Sequence, residues 1–296
     1  MSIRRTSSIN DAAEDPDSGL GAGQVYRGNL KRLVSKVQDE RGFDLGQYRD
    51  QYLERRLSAR LRVLDLHTYR QYADYLDSHE EEYTKLLDTL TINVTDFFRD
   101  APVFDIFRKD IVPTLLKEKG AQRQRLIRAW SAGCATGEET YSIAMSFLEG
   151  MGKQRQTFML SVLGTDLDES ALAKARIAEY DIDKMRTIPP ALQVKYLEGH
   201  GDTFSIKPEV ARCVKFRSLN LFSDKPISVV DVIFCRNVFI YFSREQQARV
   251  LDVFWSALAR GGYLVLGRSE RLAPSAAKKF ELVNGRERIY RKPKQR

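Results

Sequence analysis

One stretch of ten residues decides the fold. Residues 130–139 have the sequence WSAGCATGEE, and they lie between an apolar run that begins at Leu126 and a segment with helical periodicity. Gly133 and Gly137 permit a sharp turn and a close approach of the backbone to a ligand, as the first strand-to-helix turn of a nucleotide-binding sheet requires. The stretch therefore predicts an α/β protein whose first turn forms part of a binding site.

Short apolar runs alternate with helical segments from Leu126 onward, which predicts a parallel sheet covered by helices. We place the strands at Leu126–Trp130, Phe158–Thr165, Val214–Ser218, Val229–Cys235 and Gly262–Leu266. Helices are expected after the first, second and fourth strands, the last of them at Arg244–Ala259. Near the C-terminus, Phe280–Val283 and Arg286–Arg291 flank Asn284-Gly285, a pair that favours a tight hairpin, so the sheet is expected to end in antiparallel strands.

The chain divides into regions of different composition. Its start is rich in Ser, Asp, Gly and Ala and has no apolar periodicity, which is typical of disorder. Apolar residues then recur at helical spacing, for example at Leu53, Leu57 and Leu61. We predict a disordered tail at 1–24, an N-terminal helical domain at 25–100, a linking helix at 101–125, and a second domain at 126–296 with an inserted subdomain at about 180–213.

Composition limits the class of protein. A chain of 296 residues with 43% hydrophobic residues can bury a core, and neither a membrane-spanning run nor a signal peptide is evident, so we expect a cytoplasmic location without membrane insertion. The three cysteines are far apart and lack metal-ligand spacing, so no disulfide and no metal site is expected. The net charge of +8 suits nucleic acid, an acidic membrane surface or an acidic protein, and composition does not choose among them.

Three carboxylates stand where this sheet would bind a ligand. Glu138 and Glu139 open the first helix, where they would repel a pyrophosphate but attract the ammonium and sulfonium groups of S-adenosylmethionine. They could equally serve only to stabilise the helix N-terminus. Asp166 ends the second strand and could accept both ribose hydroxyls, or could cap the helix that follows from Glu169.

The fourth strand brings further polar groups to the same edge. Residues 234–242 have the sequence FCRNVFIYF after an almost wholly apolar strand. The segment lacks the Asn/Asp-Pro-Pro-aromatic motif of amino-group DNA methyltransferases and the Pro-Cys nucleophile of cytosine-C5 enzymes. We expect Cys235 to pack as a small apolar residue.

Taken together, these motifs resemble those of the CheR family of chemotaxis receptor methyltransferases over roughly residues 28–292. The segments that match are TINVTDFFR at 91–99, the loop at 131–139, Thr165-Asp166, Leu219-Asn220-Leu221, residues 235–242 and GRSE at 267–270. The resemblance implies an S-adenosylmethionine-dependent, Rossmann-like fold with a mixed sheet, an N-terminal all-helical domain and a small inserted β-subdomain. It also implies a protein-glutamate O-methyltransferase.

The family's functional residues fall on matching positions of this chain. By resemblance, the cofactor S-adenosyl-L-methionine and its product S-adenosyl-L-homocysteine are bound by Asn93, Thr95, Arg99, Gly133, Glu138, Glu139, Asp166, Asn220, Leu221, Arg236 and Asn237. Arg99 and Tyr241 resemble the residues nearest the transferred methyl group and are the expected catalytic pair. A glutamate acceptor is already ionised at neutral pH, so we expect no general base.

The resemblance also implies partners, namely the cytoplasmic helices of chemotaxis-type receptors, with the enzyme acting as a monomer recruited to receptor clusters. The stretch Tyr196–Ile206 is short beside family members that tether to a pentapeptide at receptor C-termini, so we expect no such tether. A predicted helix at Tyr48–Leu64 contains arginines that could dock an acidic receptor helix, or could form an ordinary solvated face. These arginines are Arg49, Arg55, Arg56, Arg60 and Arg62.

Two other functions remain open at this level. One is a regulatory homologue that binds the cofactor without turnover, which the presence of Arg99, Asp166 and Tyr241 disfavours. The other is a nucleic-acid methyltransferase, which the charge favours but the missing acceptor motifs disfavour, so we expect no nucleic-acid partner.

Overall fold

The computed structural model describes residues 22–41, 45–90, 95–225, 227, 229–272 and 274–294. Residues 1–21 of the tail predicted at 1–24 lie outside the described residues. The last three residues of that predicted tail belong to the first helix, which begins at Ala22. Asn93 also lies outside them.

The described residues of the N-terminal part of the chain contain four α-helices. They are α1 (Ala22–Arg41), α2 (Asp50–Val63), α3 (Tyr69–Ser78) and α4 (Glu80–Leu90). The predicted apolar stripes are buried, with Leu33, Leu57 and Tyr72 fully enclosed. The described residues up to Gly46, together with Leu53–Leu86, form one compact unit.

This helical unit contains a buried ion pair. Arg60 donates from Nε and Nη2 to the two carboxylate oxygens of Glu82 at 2.8 and 2.7 Å, and the Tyr72 hydroxyl donates to Glu82 Oε1 at 3.0 Å. The Glu82 side chain is only 1% exposed. Burying a carboxylate costs free energy unless it is paired, so Arg60 has a structural role here.

The second unit comprises the described residues of Gln47–Tyr52 and Leu87–Arg296. The compact helical unit thus ends earlier than the predicted domain boundary at residue 100. The segment predicted as one linking helix contains α5 (Ala101–Ile106), a π-helical turn at Phe107–Ile111, and α6 (Val112–Ala121).

A seven-stranded mixed sheet forms the centre of this second unit. Its strands are β1 (Leu126–Ala132), β2 (Met159–Asp166), β6 (Val214–Ser218), β7 (Val230–Cys235), β8 (Leu258–Leu266), β9 (Glu281–Asn284) and β10 (Ile289–Arg291), in the order β6-β2-β1-β7-β8-β10-β9. The first five in this order are parallel, and β10 and β9 are antiparallel to their neighbours, as predicted. Strand β7 is buried at all six positions because both faces of the sheet are covered, chiefly by α7 (Glu138–Met151), α8 (Glu169–Ile177) and α11 (Arg244–Ala257).

The strand order reverses beside β1. From β1 the chain moves outward to β2 and β6, then returns to place β7 on the other side of β1. Chain connections therefore diverge above the carboxyl ends of β1 and β7, which opens a crevice where sheets of this kind bind ligands.

The inserted subdomain is a three-stranded antiparallel sheet. Its strands are β3 (Glu179–Asp181), β4 (Leu197–His200) and β5 (Thr203–Ile206), in the order β3-β5-β4, accompanied by α9 (Pro190–Tyr196) and α10 (Pro208–Ala211). Only Gly201 and Asp202 join β4 to β5, and Gly201 has a φ of +69°. The hairpin of β4 and β5 lies in the stretch from which we predicted that no pentapeptide tether binds, and its turn contains only two residues.

The predicted Asn284-Gly285 turn is wrong, although the antiparallel strands beside it are confirmed. Asn284 pairs with Ile289, so four residues form the turn, and its positive φ of 53° is at Arg288. One contact within the turn and one tertiary contact favour this longer turn. Asn284 Oδ1 accepts the Glu287 amide at 2.9 Å, and Arg268 holds the buried Glu287 carboxylate through two hydrogen bonds.

Candidate functional site

A cavity of about 250 Å³ lies in the second unit, at the carboxyl ends of its central strands. It is lined by Gln47, Tyr48, Leu90, Thr95, Asp96, Arg99, Gly133, Ala135, Glu139, Asp166, Leu167, Leu219, Asn220, Leu221, Phe222, Arg236, Asn237, Val238, Ile240, Tyr241 and Phe242. Most of the residues that the motifs single out are thereby brought to one place, because the strands that precede them are parallel and end at the same edge.

The glycine loop after β1 forms one wall. The amides of Gly133 and Cys134 both donate to the Thr165 carbonyl, at 2.8 and 3.0 Å, which fastens the loop to the end of β2. Gly133 has a φ of +76°, and a Cβ there would lie 2.5 Å from Cγ2 of Val238. Only glycine fits this position, since both the conformation and the space exclude a side chain.

The two glutamates that open α7 have different partners. Glu138 is fully buried and accepts hydrogen bonds from Thr136 Oγ1 at 2.6 Å and from Lys184 Nζ at 2.5 Å. Glu138 is absent from the cavity wall, whereas Glu139 lines it. Glu139 accepts the Ser131 hydroxyl at 2.8 Å and Arg236 Nη1 at 3.3 Å. Burial raises the pKa of Glu139, and the positive charge of Arg236 opposes that rise.

Arg236 is the central cation of the site. Its side chain is only 2% exposed and forms ion pairs with Asp100 at 2.6 Å and with Glu139 at 3.3 Å. Its guanidinium lies over the Phe104 ring, 5.7 Å from the centroid. The buried Nε has no hydrogen-bond partner among the described residues, which fits an additional acceptor supplied by a ligand.

Asp166 lies where β2 ends. Its carboxylate accepts the backbone amides of Ala135, Leu167 and Asp168 at 2.8, 2.7 and 3.0 Å. Burial raises the pKa of Asp166, and these amides act in the opposite direction. Helix α8 is capped instead by Asp168, whose side chain accepts the amides of Ser170 and Ala171. The alternative reading of Asp166 as that cap is therefore excluded.

The loop after β6 supplies the other end of the cavity. Asn220 Oδ1 accepts the Phe222 amide at 2.9 Å, and the Asn220 amide donates to Asp224 at 2.8 Å. This turn holds Asn220 and Leu221 in the cavity wall. The remaining side-chain NH₂ of Asn220 is a hydrogen-bond donor of the kind that recognises a ring nitrogen.

The loop after β7 is held from beneath by Glu270. Its Oε2 accepts the amides of Gly267 at 2.7 Å and of Asn237 at 3.0 Å, and Asn237 has a φ of +62°. Burial raises the pKa of Glu270, opposed by these amides. Cys235 is fully buried and burial raises the pKa of its thiol, which confirms that it packs as a small apolar residue.

Sequence reasoning missed the segment that covers Tyr241. Tyr48 forms an isolated antiparallel bridge with Phe242, and the Arg49 amide donates to the Tyr241 carbonyl at 3.0 Å. The rings of Tyr52 and Tyr241 lie 4.9 Å apart. Gln47 and Tyr48 consequently line the cavity, and burial raises the pKa of Tyr48. Local patterns could not indicate this, because the contact joins segments that are 193 residues apart.

The predicted docking arginines are not cavity-lining residues. Arg49 lies just before α2, and its Nε donates to the Phe242 carbonyl at 2.9 Å. Arg55 and Arg62 are exposed on α2, whereas Arg56 is half-buried. Arg60 is the partner of Glu82 described above.

The described residues contain no group of three or more His, Cys, Asp and Glu side chains that could hold a metal ion. None of their helices is long and apolar enough to cross a membrane. Within this same part of the chain, no histidine lines the cavity.

Two family models match the chain. The one described as "CheR methyltransferase, all-alpha domain" matches residues 28–91, and the one described as "CheR methyltransferase, SAM binding domain" matches residues 93–289. A chemotaxis protein methyltransferase of Borreliella burgdorferi is 34% identical over 253 residues, which cover 84% of this chain and 89% of that relative. Chemotaxis protein methyltransferase 2 of Pseudomonas aeruginosa is 33% identical, over 83% of this chain and 85% of its own.

Proposed function

We propose that this chain, which belongs to the CheR methyltransferase family, transfers the methyl group of S-adenosylmethionine to glutamate side chains of chemotaxis-type receptors. S-adenosylmethionine is the cofactor of the family domain that covers residues 93–289. The observation that supports the proposal best is the cavity itself, where Asp166, Glu139, Arg236 and Tyr241 line one space.

The residues present fit this cofactor. Asp166 would accept a ribose hydroxyl at the lone pair of Oδ2 that its three amide bonds leave, and the NH₂ group of Asn220 would meet the adenine. Glu139 is suited to the ammonium group of the methionine moiety and the buried Nε of Arg236 to its carboxylate. Gly133 would let the backbone approach without a side chain between them.

The cofactor supplies a methyl group on a positively charged sulfur. A glutamate carboxylate oxygen forms a bond to the methyl carbon while the carbon–sulfur bond breaks and its electron pair stays on sulfur, giving the methyl ester and S-adenosylhomocysteine. The acceptor is already ionised at neutral pH, so no side chain has to remove a proton. Arg99 and Tyr241 would hold the acceptor oxygen in line with the methyl group, which is catalysis by orientation and charge.

Receptor docking is the second part of the proposal. Arg55 and Arg62 are exposed on α2, and receptor methylation helices carry acidic clusters, so the two surfaces have complementary charge. Arg60 holds the buried Glu82 carboxylate, so we assign the docking role chiefly to the exposed Arg55 and Arg62 and to the half-buried Arg56. We propose further that docking proceeds without a C-terminal pentapeptide tether, since only two residues connect β4 to β5.

The proposal is tested by incubating the protein with methyl-labelled S-adenosylmethionine and receptor-containing membranes from its own source. We expect label in receptor bands that alkali releases as volatile methanol, because glutamate methyl esters are base-labile. Membranes with Glu-to-Asp substitutions at the labelled receptor sites serve as the matched control and should remain unlabelled. Base-stable label, or label that a nuclease removes, would refute glutamate esterification, and a cofactor-binding protein that labels nothing would support the regulatory alternative.

A further inference from the structure

The backbone conformation of the cavity-lining segment Thr95–Arg99 depends on support from other parts of the protein. Thr95, Asp96 and Arg99 line the cavity. Phe98 has a φ of +52° and the neighbouring Asp100 a φ of +60°, both in the left-handed region that residues other than glycine seldom adopt. Such conformations persist only where surrounding contacts enforce them. The contacts that enforce this backbone conformation therefore determine the positions of Thr95, Asp96 and Arg99 in the cavity wall.

The inserted subdomain provides much of this enforcement. The Phe97 ring is fully buried and lies 4.9 Å from the ring of Tyr180 on β3 and 5.7 Å from that of Phe204 on β5. On the side of α7, the Phe98 amide donates to Ser142 Oγ at 2.9 Å. The segment is thus packed between the inserted sheet and the first helix of the cofactor domain.

Lys184, on the 3-10 turn at Ile182–Thr187, makes the polar connection between these parts. Its Nζ donates to the Thr95 carbonyl at 2.7 Å and to Glu138 Oε1 at 2.5 Å, and it lies 3.8 Å from the Asp96 carboxylate. Glu138 is 1% exposed and is also bound by Thr136, whose carbonyl in turn accepts the Tyr180 hydroxyl at 2.8 Å. One ammonium group therefore joins the cavity segment to the first turn of α7.

We propose that Lys184 is a positioning residue of the cofactor site. It ties the Thr95 carbonyl to the buried Glu138 carboxylate, and so fixes Thr95 and Arg99 at the distance from the glycine loop that the cofactor needs. This assignment rests on the proposed roles of Thr95 and Arg99. It also explains why Glu138, although it opens α7 beside Glu139, is not in the cavity wall: its charge is the anchor for the lysine.

A simple loss of Lys184 would also leave the Glu138 charge buried and unpaired, which by itself destabilises a protein. The test therefore uses two variants, Lys184→Met and the double variant Glu138→Gln/Lys184→Met, in which no buried charge remains unpaired. Both lack the donor to the Thr95 carbonyl. If Lys184 positions the segment, both bind S-adenosylhomocysteine about fivefold or more weakly than wild type, as expected for losing a hydrogen bond of ordinary strength.

Lys195 gives the matched control. It also joins the inserted subdomain to α7, through Glu149 at 2.7 Å, but neither residue lines the cavity. Lys195→Met should lower the melting temperature slightly and leave the Kd unchanged. Lys184→Arg, which keeps the charge and the donors, should restore most of the affinity.

Titration calorimetry with S-adenosylhomocysteine on the full-length protein decides between the roles. Recovery of wild-type Kd in the double variant would show that Lys184 only neutralises Glu138, and would overturn the positioning role. An unchanged Kd in folded Lys184→Met would do the same. Failure of the wild type to bind would instead refute the cofactor site itself, so the two failures are distinguishable.

Discussion

The carboxylate of Asp166, at the end of β2, accepts the backbone amide of Ala135, in the loop that follows β1, at 2.8 Å. One acidic side chain thus joins two loops that line the cavity. Because Asp166 also binds the amides of Leu167 and Asp168, its orientation is set before any ligand arrives. Preorganisation of this kind lowers the entropic cost of binding.

Asp166→Ala should weaken binding of both S-adenosylmethionine and S-adenosylhomocysteine. Charge-assisted hydrogen bonds contribute about 1.5–3 kcal/mol, so we expect the Kd to rise roughly tenfold to a hundredfold in calorimetry. Asp168→Ala is the matched control, since it removes the cap of α8 and should cost about 1 kcal/mol of stability with little change in Kd. Unchanged affinity in a folded Asp166→Ala protein would contradict the ribose assignment.

Arg99→Ala and Tyr241→Phe should lower kcat more than they raise the Kd for the cofactor. Both residues are proposed to act beside the methyl group, and interactions made chiefly in the transition state appear in kcat. Steady-state rates with receptor membranes and separate cofactor titrations measure the two effects. Tyr290→Phe removes a hydroxyl outside the cavity and should behave as wild type. A variant that retains full turnover loses its catalytic assignment.

Arg55→Glu/Arg62→Glu should raise the KM for receptor substrate without changing cofactor affinity, because both arginines are exposed on α2. Added salt should raise the wild-type KM by screening the same attraction. Arg32→Glu/Arg70→Glu gives the same change in charge at two exposed positions on α1 and α3. An equal KM in the docking and control variants at low salt would argue against α2 as the receptor surface.

A receptor C-terminal pentapeptide should not bind measurably. The β4–β5 connection contains only Gly201 and Asp202, which leaves little loop to hold a peptide. Fluorescence anisotropy with a labelled pentapeptide and a scrambled control would measure this. Micromolar affinity for the native order alone would establish the tether.

Arg60→Met should destabilise the helical unit by about 3–5 kcal/mol, since it leaves the buried Glu82 carboxylate with only the Lys85 ammonium, 4.0 Å away, as a cation partner. Urea unfolding followed by circular dichroism provides the measurement. Adding Glu82→Gln removes the unpaired charge and should recover much of the loss. If Arg60→Met unfolds at the wild-type urea concentration, the ion pair contributes little and Arg60 becomes available for docking.

Much of the sheet can be predicted from sequence because a parallel strand covered on both faces is a continuous apolar run. Strand β7, buried at every position and apolar at all of them except Asp231, illustrates this. The turn after Asn284 could not be predicted from its Asn-Gly pair, because the contact between Arg268 and Glu287 outweighs the local preference. The residue types in a turn indicate that the chain bends there, but contacts with distant side chains can determine how many residues the turn contains.

The residues of the candidate site also fall into those that the sequence can predict and those that it cannot. Asp166 and Arg236 can be predicted because Asp166 ends β2 and Arg236 follows β7, and parallel strands end at one edge of the sheet. Tyr48 and Lys184 could not be, because their places depend on contacts with segments far away in sequence. Glu138 and Glu139 are adjacent and chemically identical, and only their three-dimensional partners separate the anchor from the cavity residue.

The bridge between Tyr48 and Phe242 also bears on synthesis of the protein. Arg49 leaves the ribosome 193 residues before its acceptor at Phe242, an interval of roughly 10–40 s at 5–20 residues per second. During that time the nascent chain has Gln47 and Tyr48 but not the loop on which they rest. The cavity wall is therefore completed only after Phe242 has been synthesised, and a fragment that begins at Leu87 would contain β1 to β10 yet lack part of the cavity wall. Completion of this cavity wall thus requires synthesis to pass Phe242.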